Sequence, residues 1–310
     1  MKPRSLIVSK QVAPRKGGLP ILKGLDIADA VIPILEEGGD RITRIAFNNR
    51  YPLDRWAQYV MAGGRDQFIL PALEGLPLEI REQALQNYRV DLAQKIKDHK
   101  SMYGVAMTDV AGHENEALIV NAAFHQALLT GVLDHLSVTG EVPVALFENL
   151  NTRFQNTEDF ESHIALIYGE IAESGRFRYI AANSHAPILF SAQYNAILHL
   201  QDTHESSFPI GFALSEFTGA DENDDEGTFT KPPYKVNELQ IASGDILVLY
   251  SDGLHDHELG DGSRYISNGL EQLLRANKER SAQYICDRIR EDVTKDPRED
   301  DVSYTIIKKE

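Results

Sequence analysis

Hydrophobic positions along the chain change their period several times, and each change predicts an element. GLDIADAVIPILEEGGD (24–40) is mainly apolar and closes on a Gly-Gly-Asp turn. RITRIAF (41–47) alternates apolar and polar positions, as a strand with one buried face does. In 76–100, Ile80, Leu85, Leu92 and Ile96 recur at helical spacing among charges. That spacing predicts an amphipathic helix of about six turns. SMYGVAMTD (101–109) is a strand, VAGHE a tight turn, and 114–132 a helix with Leu118, Ala122 and Leu129 on one stripe. Its early Glu114 and Glu116 suit the positive end of a helix dipole. A second helix covers 143–156. HIALIYGEIA (163–172) and RFRYIAANS (176–184) form a hairpin across Glu-Ser-Gly. APILFSAQ and AILHLQ continue as strands, the acidic Gly/Pro-bearing stretch 219–234 is a loop, and GDILVLYSDG (244–253) is a buried strand. One or two helices occupy 267–293, and DPREDDVSYTIIKK (296–309) is an acidic turn leading into a last strand. Helices and strands come in blocks without internal repeats, which favours an α+β layered fold over a doubly wound sheet.

Composition narrows the function. The length of 310 residues suits one large sandwich or two small domains. The net charge, 31 − 47 = −16, makes the chain a poor partner for a phosphate backbone, so no nucleic acid is expected. Cys286 is the single cysteine, which excludes an intramolecular disulfide and a Cys-based zinc site. Residues 1–23 read as a basic N-terminal arm without the apolar core of a signal peptide, and residues 24–310 as the folded domain. No run of about 18 apolar residues stands out, so no membrane span is expected and the cytoplasm is the default compartment.

Several carboxylates share one local context. Asp109 ends an apolar strand before a Gly-containing turn, Asp252 follows ILVLYS and precedes Gly253, Asp300 and Asp301 precede the last strand, and Asp40 follows Gly38-Gly39. Acids at strand ends can meet on one rim of a sheet, where their repulsion calls for a cation. Oxygen ligands alone select hard ions such as Mg²⁺ or Mn²⁺. A lone strand-end Asp is ordinarily a turn former, and Asp-Gly is a common turn.

These residues also carry a resemblance. TDVAGHENEA (108–117) resembles the DVSGHG-x-x-A motif of the SpoIIE/RsbU-type branch of the metal-dependent type 2C (PPM) serine/threonine protein phosphatases. GDILVLYSDGLHDHE (244–258) is similar to its GD-x-L-x-LYTDG-x-x-E, EDDVSYTII (299–307) to its closing DD-x-T strand, and 24–40 to its opening stretch ending in GGD. FRYIAANSHAPILF (177–190) resembles the family's NAGHpP hairpin and PIGF (209–212) its Pro-Leu-Gly. All six occur in the family's order and cover most of 24–309 except about 48–100. The resemblance implies an α-β-β-α sandwich of two antiparallel sheets flanked by helices, with a helical insertion near 50–100. It implies two Mn²⁺ or Mg²⁺ ions, bridged by Asp109, with the Val110 carbonyl, Asp252, Asp300 and Asp40 as further ligands, and direct hydrolysis by an activated water. Asp300 is preferred to Asp301 as the first acid of the closing pair. Gly63-Gly64-Arg65-Asp66 offers a second GGD-like match, so Asp66 competes with Asp40.

The sequence departs from the pattern at Glu114, where the family has Gly, at Asn183-Ser184 in place of Ala-Gly, and at Ser303 in place of Thr. His113 is a candidate proton donor to the leaving group or a turn histidine. His185 reads as an organiser of its turn, His255 and His257 as solvated loop residues, and Ser251 as a strand-end hydroxyl rather than a nucleophile. The acidic run 221–226 reads as a solvated loop. The insertion reads as a layer on the core, as a partner or homodimer surface, or as a lid, with Arg65, Arg81 and Arg89 as candidate phosphate guides. The function implied is a phosphatase for phosphoserine or phosphothreonine in bacterial partner switching, acting on a phosphorylated protein such as an anti-sigma-factor antagonist. The alternatives are a catalytically weak or inactive phosphatase-like binding module, and a small-molecule phosphatase on the same fold.

Overall fold

The computed structural model describes residues 24–32, 40–47, 51–110, 114–155, 163–198, 200, 204–215, 230–297 and 300–310. The basic arm and the 221–226 run lie outside them. The chain opens with strands β1 (Leu25–Ile32) and β2 (Arg41–Ala46). The insertion follows as helix α1 (Leu53–Met61), two 3₁₀ turns and helix α2 (Leu78–Asp98). Then come β3 (Met102–Val110), α3 (Glu114–Thr139), α4 (Val144–Phe154), β4 (Ile164–Ala172) and β5 (Arg176–Ala182). Shorter strands are β6 (Ile188–Ser191), β7 (Ala196–Leu198), β8 (Ser206–Ser207), β9 (Leu214–Ser215), β10 (Thr230–Lys231) and β11 (Val236–Gln240). The chain continues through β12 (Ile246–Tyr250), the single-turn helix α5 (Asp252–His255), α6 (Gly269–Asn277), α7 (Ala282–Val293) and β13 (Val302–Lys309).

Two antiparallel sheets face each other. One runs β1-β13-β12-β6-β7, the other β11-β5-β4-β3-β2. Small parallel pairings of β8 with β5 and β9 with β10 are added to this plan. Met107, Ile167 and Phe177 of one sheet meet Leu189, Leu247 and Ile307 of the other between the layers. Ala28, Val248 and Ile306 face α6 and α7, while Ala106, Leu166 and Tyr168 face the α1–α4 layer. The order is helix, sheet, sheet, helix. Both faces of β3, β4 and β12 are covered, which explains why they read as near-continuous apolar runs rather than alternating ones.

The hairpin of β4 and β5 forms as expected. Gly175 has φ +89° and its Cα lies so close to Ile241 that a Cβ would stand 2.1 Å from that carbonyl oxygen. Helix α3 differs from expectation. It runs on to Thr139, and its buried stripe is Ala117, Phe124, Leu128, Leu129, Val132 and Leu136, so Leu129 is buried as expected while Leu118 and Ala122 face outward. Gly131 does not end it, because its bare backbone lets Leu146 of α4 pack where a Cβ would be 2.2 Å away. Against the expectation of no such stretch, Ala117–Thr139 is long and apolar enough, by length and composition, to cross a membrane. Here its apolar stripe lies in the core.

The 76–100 helix is present, but its apolar spacing is used over only part of its length. Leu92 and Ile96 are buried with Leu53, Ala57 and Val60 of α1, while Ile80 is 54% exposed. Strand β11 lies within a stretch the hydrophobic pattern left unassigned.

Candidate active site

Strand register brings the acids together. Arg41 pairs with Thr108, so Asp40, just before β2, stands beside Asp109, near the end of β3. Tyr250 pairs with Tyr304, and the Ser251 amide donates to the Ser303 carbonyl at 2.9 Å. That crossing sets Asp252, at the start of α5, against Asp300 and Asp301 ahead of β13. Gly253 makes the approach close, since a Cβ there would meet the Asp301 carbonyl oxygen at 1.9 Å. Asp109 and Asp252, from opposite sheets, line one small cavity of about 30 Å³.

The acids raise one another's proton affinity. Burial, then the charge of Asp109, pushes Asp40 well above the usual carboxylate range, and the nearby Ser303 and Ser251 hydroxyls offset part of this. Asp109 is raised by burial and then by Asp252 and Asp300. Asp300 is raised by burial and by Asp252, although its Oδ1 accepts from the Asp301 amide at 2.7 Å. Asp301 acts on both Asp40 and Asp109, so the structure gathers both acids of the closing pair. Asp252 Oδ1 accepts from the Gly253 amide at 2.8 Å. Asp40 Oδ2 is buried and has no hydrogen-bond partner.

A buried carboxylate oxygen without a donor, amid like charges, suits a cation. The donor set of carboxylate oxygens fits a hard divalent ion. Among the described residues no three acidic or imidazole side chains already close around one point. Val110, one residue past Asp109, closes β3 opposite Ile164. His113 and the side chain of Glu114 lie outside the described residues.

A single family description accounts for this arrangement: Stage II sporulation protein E (SpoIIE) matches residues 99–310. The chain belongs to the SpoIIE family. Its fold is shared with the RsbU and RsbW domains of Rv1364c from Mycobacterium tuberculosis, at 17% identity, over 92% of this chain and 61% of that one, TM-score 0.59. The PP2C phosphatase domain and regulatory-domain fragment of SpoIIE from Bacillus subtilis match at 13% identity, over 92% and 63%, TM-score 0.58. The chain thus spans less than two thirds of either. RsbX in complex with magnesium matches at 12% identity, over 93% and 96%, TM-score 0.53. No curated protein sequence matches.

SpoIIE-family membership leaves several side chains to be placed. Asp66 does not reach the acids. It is ion-paired with Arg89, and its neighbour Arg65 donates to Ser137 at 2.9 Å, near the last turn of α3. Glu114 to Ser137 spans 23 steps of helix, about 35 Å from the turn that follows Asp109. Arg65 and Arg89 brace the insertion there and do not guide phosphate. The insertion therefore packs as a layer on the far end of α3 rather than as a lid.

Ser251 is tied into the backbone, its Oγ accepting from the Ser303 amide at 3.0 Å. His257 is 4% exposed, edge-on to Tyr265, which corrects the reading of a solvated loop. His255 is likewise organised, stacked on His185 at 3.9 Å between ring centroids, with Arg264 donating to its Nε2 at 3.0 Å. Two buried amides went unnoticed in the sequence. Asn121 on α3 accepts from Thr108 Oγ1 at 3.1 Å, beside Asp109. Asn151 on α4 accepts from the Gly211 amide and donates to the Ala213 carbonyl, which pins the PIGF turn. Their signal was an Asn on an otherwise apolar helix face.

Proposed function

We propose that the protein is a metal-dependent phosphoprotein phosphatase that hydrolyses phosphoserine and phosphothreonine in a bacterial signalling pathway. The observation that carries this is the meeting of Asp40, Asp109, Asp252, Asp300 and Asp301 from strand ends of both sheets, with Asp40 Oδ2 buried and unpaired. Asp40, Asp109, the Val110 carbonyl, Asp252 and Asp300 would hold two Mg²⁺ or Mn²⁺ ions. Divalent ions bound in such a site supply Lewis acidity toward the phosphoryl oxygens and the attacking water. Magnesium in RsbX, a structural neighbour, supports the choice of metal.

The chain's own part is positioning. The two sheets fix the acids, Asn121 holds the strand end beside Asp109 through Thr108, and Gly253 lets the Asp300–Asp301 turn close on Asp252. No protein nucleophile is required. His113 is the proposed proton donor to the leaving alkoxide. The substrate class is a phosphorylated protein of the partner-switching kind, such as an anti-sigma-factor antagonist, and the compartment is the cytoplasm.

Hydrolysis of p-nitrophenyl phosphate by the wild type and by Asp252→Asn, with Mn²⁺, Mg²⁺ or EDTA, tests the reading. Turnover that needs metal and disappears in the variant is expected. A wild type that binds Mn²⁺ yet turns over neither this ester nor a phosphopeptide would instead be a binding module.

A further inference from the structure

A cleft of about 570 Å³ opens from Asp252, which lines one side of it, and extends away from the other acids. Resting on the phosphatase reading, we propose that it seats the polypeptide flanking the phosphorylated residue and selects an apolar side chain there.

Three features of the cleft argue for this. Its floor is apolar and rigid. Phe208 stacks on Phe212 with centroids 5.3 Å apart and planes within 3°, and Phe212 abuts His163 edge-on. Pro232 and Pro233 continue that floor, with backbones their rings hold fixed. Such a surface gains most by covering an aliphatic side chain.

The wall offers hydrogen bonding that the protein itself does not use. Ser184 Oγ is buried and has no hydrogen-bond partner. The backbone of Ser184 is already engaged: its amide donates to Ser206 Oγ at 3.2 Å and its carbonyl accepts from His204 Nε2 at 3.1 Å. Tyr179 donates to Nδ1 of the same imidazole at 3.2 Å. Burial lowers the proton affinity of His204, which suits this neutral tautomer. The relay holds Ser184, and with it this wall of the cleft, in place. Ser184 is one of the three positions, with Glu114 and Asn183, where the chain departs from a Gly or Ala of the family pattern.

Lys235 and Glu205 pair with each other at the edge of the cleft, and among the described residues no cation lining it is left over to favour an acidic flank. The acid that remains, Asp252, lies at the end where the phosphoryl group would enter. A volume of this size accommodates a short peptide segment.

The experiment uses the full chain and matched phosphoserine peptides that differ only in carrying Leu, Ser or Asp beside the phosphorylated residue. Each variant is normalised to its own p-nitrophenyl phosphate rate. The wild type is expected to favour the Leu peptide over the Asp peptide by about tenfold or more in kcat/KM. Phe208→Ser should bring that preference to within about twofold. Ser184→Gly should lower kcat/KM for all three peptides while keeping their order. Pro233→Ala provides a second, milder test of the floor.

Binding of the same peptides, fluorescein-labelled, to Asp109→Asn is followed by anisotropy. Equal rates for the Leu and Asp peptides, or a preference that survives both Phe208→Ser and Pro233→Ala, overturns the assignment. Peptides that bind with the Leu preference while the wild type hydrolyses nothing would support the cleft and sink the catalytic reading. Ester hydrolysis with no peptide discrimination would do the reverse.

Discussion

Strand β3 joins two ends of the molecule that treat buried charge in opposite ways. At its last residues the groups acting on Asp40 and Asp109, apart from two serines, are other carboxylates. At its first residues the acids have cations or donors. Glu170 accepts from Tyr168 at 2.9 Å and lies 4.0 Å from Arg178, and Asp66 pairs with Arg89. A polar group whose partners are present is part of the scaffold, whereas one lacking them points to something bound. The same strand therefore separates a structural end from a chemical end.

The sharpest way to break this contrast is Asp109→Asn. It should lower metal-dependent phosphomonoester turnover by more than about a hundredfold. It should also raise the denaturation midpoint in EDTA near pH 8, because a buried charge among like charges is removed. Turnover like wild type, or a lower midpoint in EDTA, would put Asp109 on the structural side.

At the other end, Ile96→Ala should cost about 2–5 kcal/mol in urea unfolding, since Ile96 is fully buried. Turnover per folded molecule should stay near wild type.

Glu170→Gln gives a smaller, pH-dependent effect. Burial raises the Glu170 carboxyl above its ordinary value. Its folded form thus holds a proton more tightly than its unfolded form, so its contribution to stability is complete below the unfolded pKa and lost as pH rises through the folded one. The variant should gain on the wild type as pH rises above the ordinary glutamate range in parallel denaturation curves, and a gap constant with pH would contradict this. The smallest effect is expected for Arg65→Ala, with turnover within about twofold of wild type. A larger loss would return Arg65 to the phosphate path.

Much of the acidic end was legible because its chemistry is local in sequence. A strand that stops at an acid, followed by a glycine turn, marks Asp109 and Asp252 without knowledge of distant contacts. What joins them is register, and register depends on pairings such as Arg41 with Thr108 that no short window contains. The choice between Asp40 and Asp66 could not be made locally either, because both follow Gly-Gly-bearing turns. Asp66 is drawn away from the other acids by Arg89, at the far end of α3. The stripe on α3 was misread because periodicity shows that a helix has faces, and the sheet chooses which one is buried. His257 was placed in solvent because its polar neighbours resemble a loop, while Tyr265, eight residues on, covers it.

The pairing of β1 with β13, which joins Leu25 to Lys309 and Val31 to Ser303, bears on how the protein matures. Contacts between segments so far apart in sequence form slowly, since a long loop must close before they contribute. Local elements such as α1 with α2, or the β4–β5 hairpin, can form long before that. The Asp300–Asp301 turn reaches Asp252 when β13 settles between β1 and β12. In a refolding experiment, helical signal should therefore recover early and metal-dependent turnover late. On the proposed reading, turnover waits until the most distant segments of the chain have met.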